Sequence, residues 1–80
     1  MFYVYLIRSE EHPDRVYIGF TADLKKRMRA HNAGQSVHTA QYKPWKLVTY
    51  LAFTNEDKAR AFEKYLKSHS GMAFASKRLW

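Results

Sequence analysis

Residues 16–34 read "VYIGFTADLKKRMRAHNAG". Joined to Arg15, the opening is β-branched and aromatic, which predicts a strand over 15–20, "RVYIGF". A few residues later the pattern changes to a helix over about 23–32. Thr21 or Asp23 can cap it, Leu24 and Met28 form its apolar stripe, and Gly34 stops it. Gly19, inside the strand, marks a bulge or a close backbone approach. Arg27 and His31 lie one helical turn apart and border the apolar stripe, so they share a face. Strand, close-approach glycine and basic helix thus follow one another within a single short unit.

Outward from this unit, residues 2–8, "FYVYLIR", are apolar on both faces and suit a central strand. The polar "SEEHPDR" between the two strands reads as a hairpin loop. Residues 35–46 are irregular and polar, and 47–53, "LVTYLAF", predict a third strand. Thr54 with Asp57 resembles a capping box. It would open a helix over about 55–68 that buries Ala59, Phe62 and Leu66. The tail "GMAFASKRLW" reads as a turn and a short amphipathic piece. The expected fold is α+β, with a three-stranded, mainly antiparallel sheet flanked by helices, in the order β-β-α-β-α plus tail. Residues 1–80 read as one domain.

Composition narrows the function classes. The 80 residues include no cysteine, which excludes disulfides, thiolate catalysis and cysteine-based zinc sites. The histidines lack metal-site spacing, and "MFYVYLI" is too short to span a bilayer. A cytoplasmic protein with no membrane partner is the expectation. The net charge is +7, and its distribution matters more than its size. Leu24–Asn55 and Lys64–Trp80 contain no acid. A polyanion is the natural partner of such a surface, nucleic acid above all, and a basic surface kept for solubility is the bland alternative.

Each candidate residue has both a bland and a chemical reading. Glu63 sits at the edge of its helix's buried face. It is either half of a Glu63–Lys67 surface pair or a lone carboxylate ligand for a divalent cation. Arg27 and His31 are a snorkelling arginine and a half-buried histidine, or a pair aimed at a phosphate. Tyr3, Tyr5 and Ile7 share one face of the first strand, and Tyr17 and Gly19 share one face of the second. A lone strand tyrosine is ordinarily core, but two on neighbouring strands beside a glycine suggest a site. Lys25, Lys26 and Arg29 point away from the stripe as solvated charge or phosphate contacts, and His38 and Thr39 lie in the polar loop.

This ordered set resembles the GIY-YIG endonuclease superfamily, in particular its small single-domain branch related to the N-terminal domain of excinuclease C. "YVY" at 3–5 stands in place of the first motif and "YIG" at 17–19 is the second, intact. Arg27, His31, "PWKLV" and "ARAFEKYLKS" follow the family's continuation. The resemblance covers essentially the whole chain. Two departures stand out: the first motif lacks its glycine and isoleucine, and the late asparagine of many members is absent.

The resemblance implies hydrolysis of DNA phosphodiesters, a setting in DNA repair, and one divalent ion, Mg²⁺ or Mn²⁺. Tyr17 would be the general base, Arg27 the phosphate clamp and His31 the partner of Tyr17. Tyr5 would be an assisting hydroxyl and Glu63 the metal ligand, with Gly19 structural. Lys26, Arg29, His38, Thr39 and Lys67 are the expected nucleic-acid contacts. RNA stays open as a substrate, since nothing in the chain reads a 2′-hydroxyl. The chain has no room for an added DNA-binding domain, so specificity is expected from the 35–46 loop, DNA structure, self-association or a partner protein. The rival is a non-catalytic nucleic-acid-binding module on the same fold.

Overall fold

The computed structural model describes residues 1–80. The strands are β1 (Phe2–Ser9), β2 (Val16–Thr21) and β3 (Trp45–Phe53). The helices are α1 (Leu24–Asn32), α2 (Glu56–Leu66) and α3 (His69–Arg78), with a 3₁₀ turn at Ala40–Tyr42. The sheet order is β2-β1-β3 and both pairings are antiparallel. The α+β expectation holds. β1 is central because its residues are apolar on both faces, and Val4, Tyr5, Leu6 and Ile7 are fully buried.

Alternation along β1 divides the core into two layers. Val4 and Leu6 pack with Ala59 and Leu66 of α2 and Ala75 of α3. Tyr5 and Ile7 pack with Trp45 on the α1 side, with Tyr17, Leu24 and Met28 around them. β3 serves both layers through a register shift. Leu6 pairs with Thr49 but Ile7 pairs with Leu47, leaving Val48 as the extra residue. This bulge changes the phase of the strand. Trp45 consequently joins the α1-side layer while Phe53 joins the α2 and α3 side.

Several boundaries differ from the sequence expectation. β3 begins at Trp45, two residues earlier, because Asn32 pairs with both main-chain groups of Trp45. Thr54 and Asp57 do not form the cap of α2. Asn55 is the N-cap, its side chain accepting from the Lys58 N–H at 2.9 Å, so the helix starts at Glu56. It ends at Leu66, because Ser68 begins the next helix by accepting from Gly71 N–H. The tail is thus the ten-residue helix α3. It docks on α2 where Gly71 has no Cβ to strike the Tyr65 carbonyl. No helix is long and apolar enough to cross a membrane.

Candidate active site

The β2–α1 unit is tightly built. Asp23, rather than Thr21, caps α1 by accepting from Lys26 N–H at 3.0 Å, while the Thr21 hydroxyl accepts from Asp23 N–H. Just past its end, after the C-cap Ala33, Gly34 turns the chain away with φ of +78°, a conformation that favours glycine. There Gly34 N–H donates to the His31 carbonyl and Gln35 N–H to that of Ala30. These two ends fix the helix length, and with it the height at which Arg27 and His31 face the sheet.

Gly19 resolves to a close approach. It pairs in register with Tyr5, without a bulge, and a Cβ there would collide with the Tyr5 hydroxyl and ring. The Tyr5 ring therefore crosses β2 over the glycine and reaches α1. Arg27 Nε donates to its hydroxyl at 3.2 Å, and the hydroxyl lies 2.8 Å from His31 Nε2. His31 Nδ1 lies 2.6 Å from Thr39 Oγ1. One arrangement of protons satisfies this chain: Arg27 donates to Tyr5, Tyr5 to His31 Nε2, and His31 Nδ1–H to Thr39. Trp45 Nε1 donates to the Thr39 carbonyl at 2.8 Å, which holds the loop in place.

Burial sets the protonation of these groups. His31 is fully buried, and burial first, then the Arg27 charge, lower its pKa from 6.5 to about 4. It is neutral at pH 7, as the chain of donors requires. Burial likewise raises the Tyr5 pKa, opposed by the Arg27 hydrogen bond. The Tyr5 hydroxyl in turn holds the Arg27 guanidinium more firmly charged, against burial, and Tyr17 adds to this. Arg27 also lines an open cleft of about 310 Å³ with Thr21, Asp23, Lys26 and Gln35.

Tyr17, by contrast, is half-buried, its ring 5.4 Å from that of His31 and 6.4 Å from that of Tyr5. Lys67 Nζ lies 5.7 Å from the Tyr17 ring and 3.1 Å from a Glu63 carboxylate oxygen. Hydrogen bonds and ring contacts thus join Tyr5, Tyr17, Arg27 and His31, and the Glu63–Lys67 pair adjoins them where Lys67 meets the Tyr17 ring. The Glu63 side chain is 22% exposed, and no group of three or more His, Cys, Asp or Glu forms a metal cluster. A lone carboxylate suits a hard cation that keeps most of its water and takes phosphate oxygens.

Two sequence readings need correction. Thr39 is fully buried under the loop and belongs to the His31 support, so it is no contact for a nucleic-acid strand. The two ring nitrogens of His31 face Tyr5 and Thr39, so its hydrogen-bond partner is Tyr5 and not Tyr17. Lys26, Arg29, His38 and Lys67 are exposed, Lys26 on the Arg27 cleft and Lys67 beside Tyr17. Asn32 and Trp45, which brace the site from behind, carried no sequence signal. An amide paired with a main chain looks the same in sequence as an unpaired one.

The GIY-YIG catalytic domain matches residues 1–76. The chain belongs to the GIY-YIG family. It is 37% identical over 68 residues to a UPF0213 protein of Clostridium perfringens, covering 84% of this chain and 71% of that one. It is 38% identical over 65 residues to a structure-specific endonuclease subunit, an SLX1 homologue, of Giardia intestinalis. That match takes in 76% of this chain but only 18% of the longer relative. The solution NMR structure of a UPF0213 protein from Bacillus halodurans superposes with a TM-score of 0.55 at 26% identity. It covers 98% of this chain and 86% of the other. In this GIY-YIG chain the glycine of "YIG" is the space through which the first-motif tyrosine, Tyr5, reaches the helix.

Proposed function

We propose that the chain is a cytoplasmic, metal-dependent endonuclease that hydrolyses DNA phosphodiesters. The observation that carries this reading is the Arg27–Tyr5–His31–Thr39 chain, which orients a charged guanidinium, with the Tyr17 ring against His31 and the Glu63–Lys67 pair next to Tyr17. A binding surface needs cations; it does not need a buried neutral histidine to orient a tyrosine that orients one of them.

Arg27 binds the phosphate. Its Nε is committed to Tyr5, which leaves its terminal nitrogens for phosphate oxygens. Tyr17, the more accessible of the two tyrosines, acts as the general base toward the attacking water. The new P–O bond forms in line with the one that breaks, and the leaving oxygen takes its proton from solvent. Arg27 stabilises the charge that gathers on the phosphoryl oxygens. Glu63 would hold one divalent ion, Mg²⁺ or Mn²⁺, which supplies Lewis-acid stabilisation of the same oxygens. Tyr5 and His31 touch no substrate in this scheme and act by positioning Arg27. Lys26, Arg29, His38 and Lys67 supply the basic rim along which a strand runs.

Labelled single-stranded, duplex and branched DNA, incubated with Mg²⁺, Mn²⁺ or EDTA, tests the reading. Cleavage of at least one substrate is expected with metal, none with EDTA, and none by Glu63→Gln. Binding without metal-dependent cutting would overturn it in favour of the non-catalytic module.

A further inference from the structure

A second cleft opens at the free edge of β2, on the side of the sheet opposite α1. Its volume is about 360 Å³, within the range of small-molecule sites. Ile18, Leu66, Met72 and Trp80 give it apolar walls, and Tyr17 and Lys67 belong both to it and to the candidate active site. Met72 in this wall is 56% exposed, so it presents its side chain to an occupant. The Arg8 guanidinium lies 5.3 Å from the Trp80 ring centre, and Arg8 Nε is buried with no partner. An aromatic wall backed by a cation therefore shares the cleft with Tyr17.

We propose that this cleft takes one unpaired nucleobase of the substrate strand, adjacent to the phosphate held by Arg27; the proposal rests on the nuclease reading above. Continuity decides the occupant. A strand that runs from the phosphate at Arg27 toward this cleft passes Tyr17, which lines it, and Lys67 beside Tyr17 offers a cation for the next phosphate. A base has two apolar faces and stacks on aromatic rings whatever its identity, so an apolar cleft suits it without reading sequence. A paired base has both faces covered and its edge engaged, and cannot enter. The substrate class that follows is a single strand, or a junction at which strands part.

The test is NMR titration of the labelled full chain in EDTA with two octamers: oligo-dT, and the same sugar-phosphate backbone without bases. Oligo-dT is expected to move the Met72 methyl and Trp80 indole signals. The base-less strand should leave them in place, move only the Arg27, Lys26 and Lys67 signals, and bind about tenfold or more weakly. Ser76→Trp, at an exposed position on the cleft wall, should cut oligo-dT affinity to that of the base-less strand. Movement at Arg27 with Met72 and Trp80 unmoved would overturn the cleft assignment and leave the nuclease reading intact. Equal binding of the two octamers would also overturn it. Met72 and Trp80 shifts that follow protein concentration alone would give the cleft to a second copy of the chain. Failure of both octamers to bind would overturn the single-strand assignment, while the nuclease reading stands or falls on the cleavage test above.

Discussion

On the α2 and α3 side of the sheet, Val4 and Leu6 meet Ala59, Leu66 and Ala75, with Phe53 and Phe62 at the margin. Nothing in that cluster forms a polar bond, and shape alone governs the packing. On the α1 side Tyr5 and Ile7 of the same strand meet Trp45, but the contacts that matter are directional: Arg27 to Tyr5, Tyr5 to His31, His31 to Thr39. One strand thus supports a layer that can be repacked and a layer in which each polar atom has an assigned partner. A buried polar network is costly when one member is lost, so the second layer is where sequence freedom ends.

The largest difference between the layers should appear in activity. Arg27→Ala is expected to cut the cleavage rate about 10²–10³-fold or more, the scale of losing a main electrostatic stabiliser. Its effect on the fold should be small, because Tyr5 keeps His31 as partner. Arg27→Lys should recover little, since an ammonium replaces a fork with a point charge. Single-turnover rates alongside circular dichroism check both. A folded Arg27→Ala chain that cuts normally would place the phosphate elsewhere.

The converse holds on the other side of β1. Leu6→Ala should cost about 2–5 kcal/mol of stability, the range for a fully buried leucine. The rate per folded molecule should not change. Urea titration gives the first quantity and cleavage well below the transition the second. If Leu6→Ala alters the rate of the folded fraction, the two layers are coupled and the contrast between them fails.

His31 makes the comparison dependent on pH. Its pKa is about 4 in the fold and near 6.5 when exposed, so the unfolded chain binds the extra proton over that interval. The stability this neutral histidine confers is complete above about pH 6.5 and falls as the pH drops toward 4, by roughly 3 kcal/mol in all. His31→Gln cannot take the proton and should show a flatter acid limb in urea midpoints against pH. An unchanged limb would assign the acid sensitivity to other groups.

These experiments also separate what was legible in the sequence from what was not. Tyr17, Gly19, Arg27 and His31 stood out because the chemistry they suggest depends on residue type and local spacing, and both are linear properties. The partner of His31 did not, because Tyr5 reaches it only through the gap over Gly19, a three-dimensional accident of register. Thr39 looked like any loop threonine; only the fold places it under the His31 ring. The Val48 bulge has no signature in "WKLVTYLAF", where either face could be apolar, and it decides which layer receives Trp45. The glutamate of α2 was visible as an acid at a helix edge, and its pairing with Lys67 follows from their i,i+4 spacing, as one of its two readings had it.

The smallest effect concerns the start of α2, far from the polar layer. The sequence pattern favours Thr54 as cap, whereas the Asn55 side chain accepts from Lys58 N–H. Asn55→Ala should remove one satisfied donor at the helix start and cost about 1 kcal/mol. In a domain of this size that is a fall in Tm of about 4–8 °C. Thr54→Ala should be close to neutral, because Thr54 is exposed and caps nothing. Neither should alter cleavage, since α2 carries Glu63 two turns further on, where packing against β1 rather than the cap fixes its position. A loss of activity in Asn55→Ala at a temperature where it is fully folded would mean that the frame of α2 reaches Glu63. In that case the apolar layer does more than support the polar one: it sets the distance between Glu63 and Tyr17.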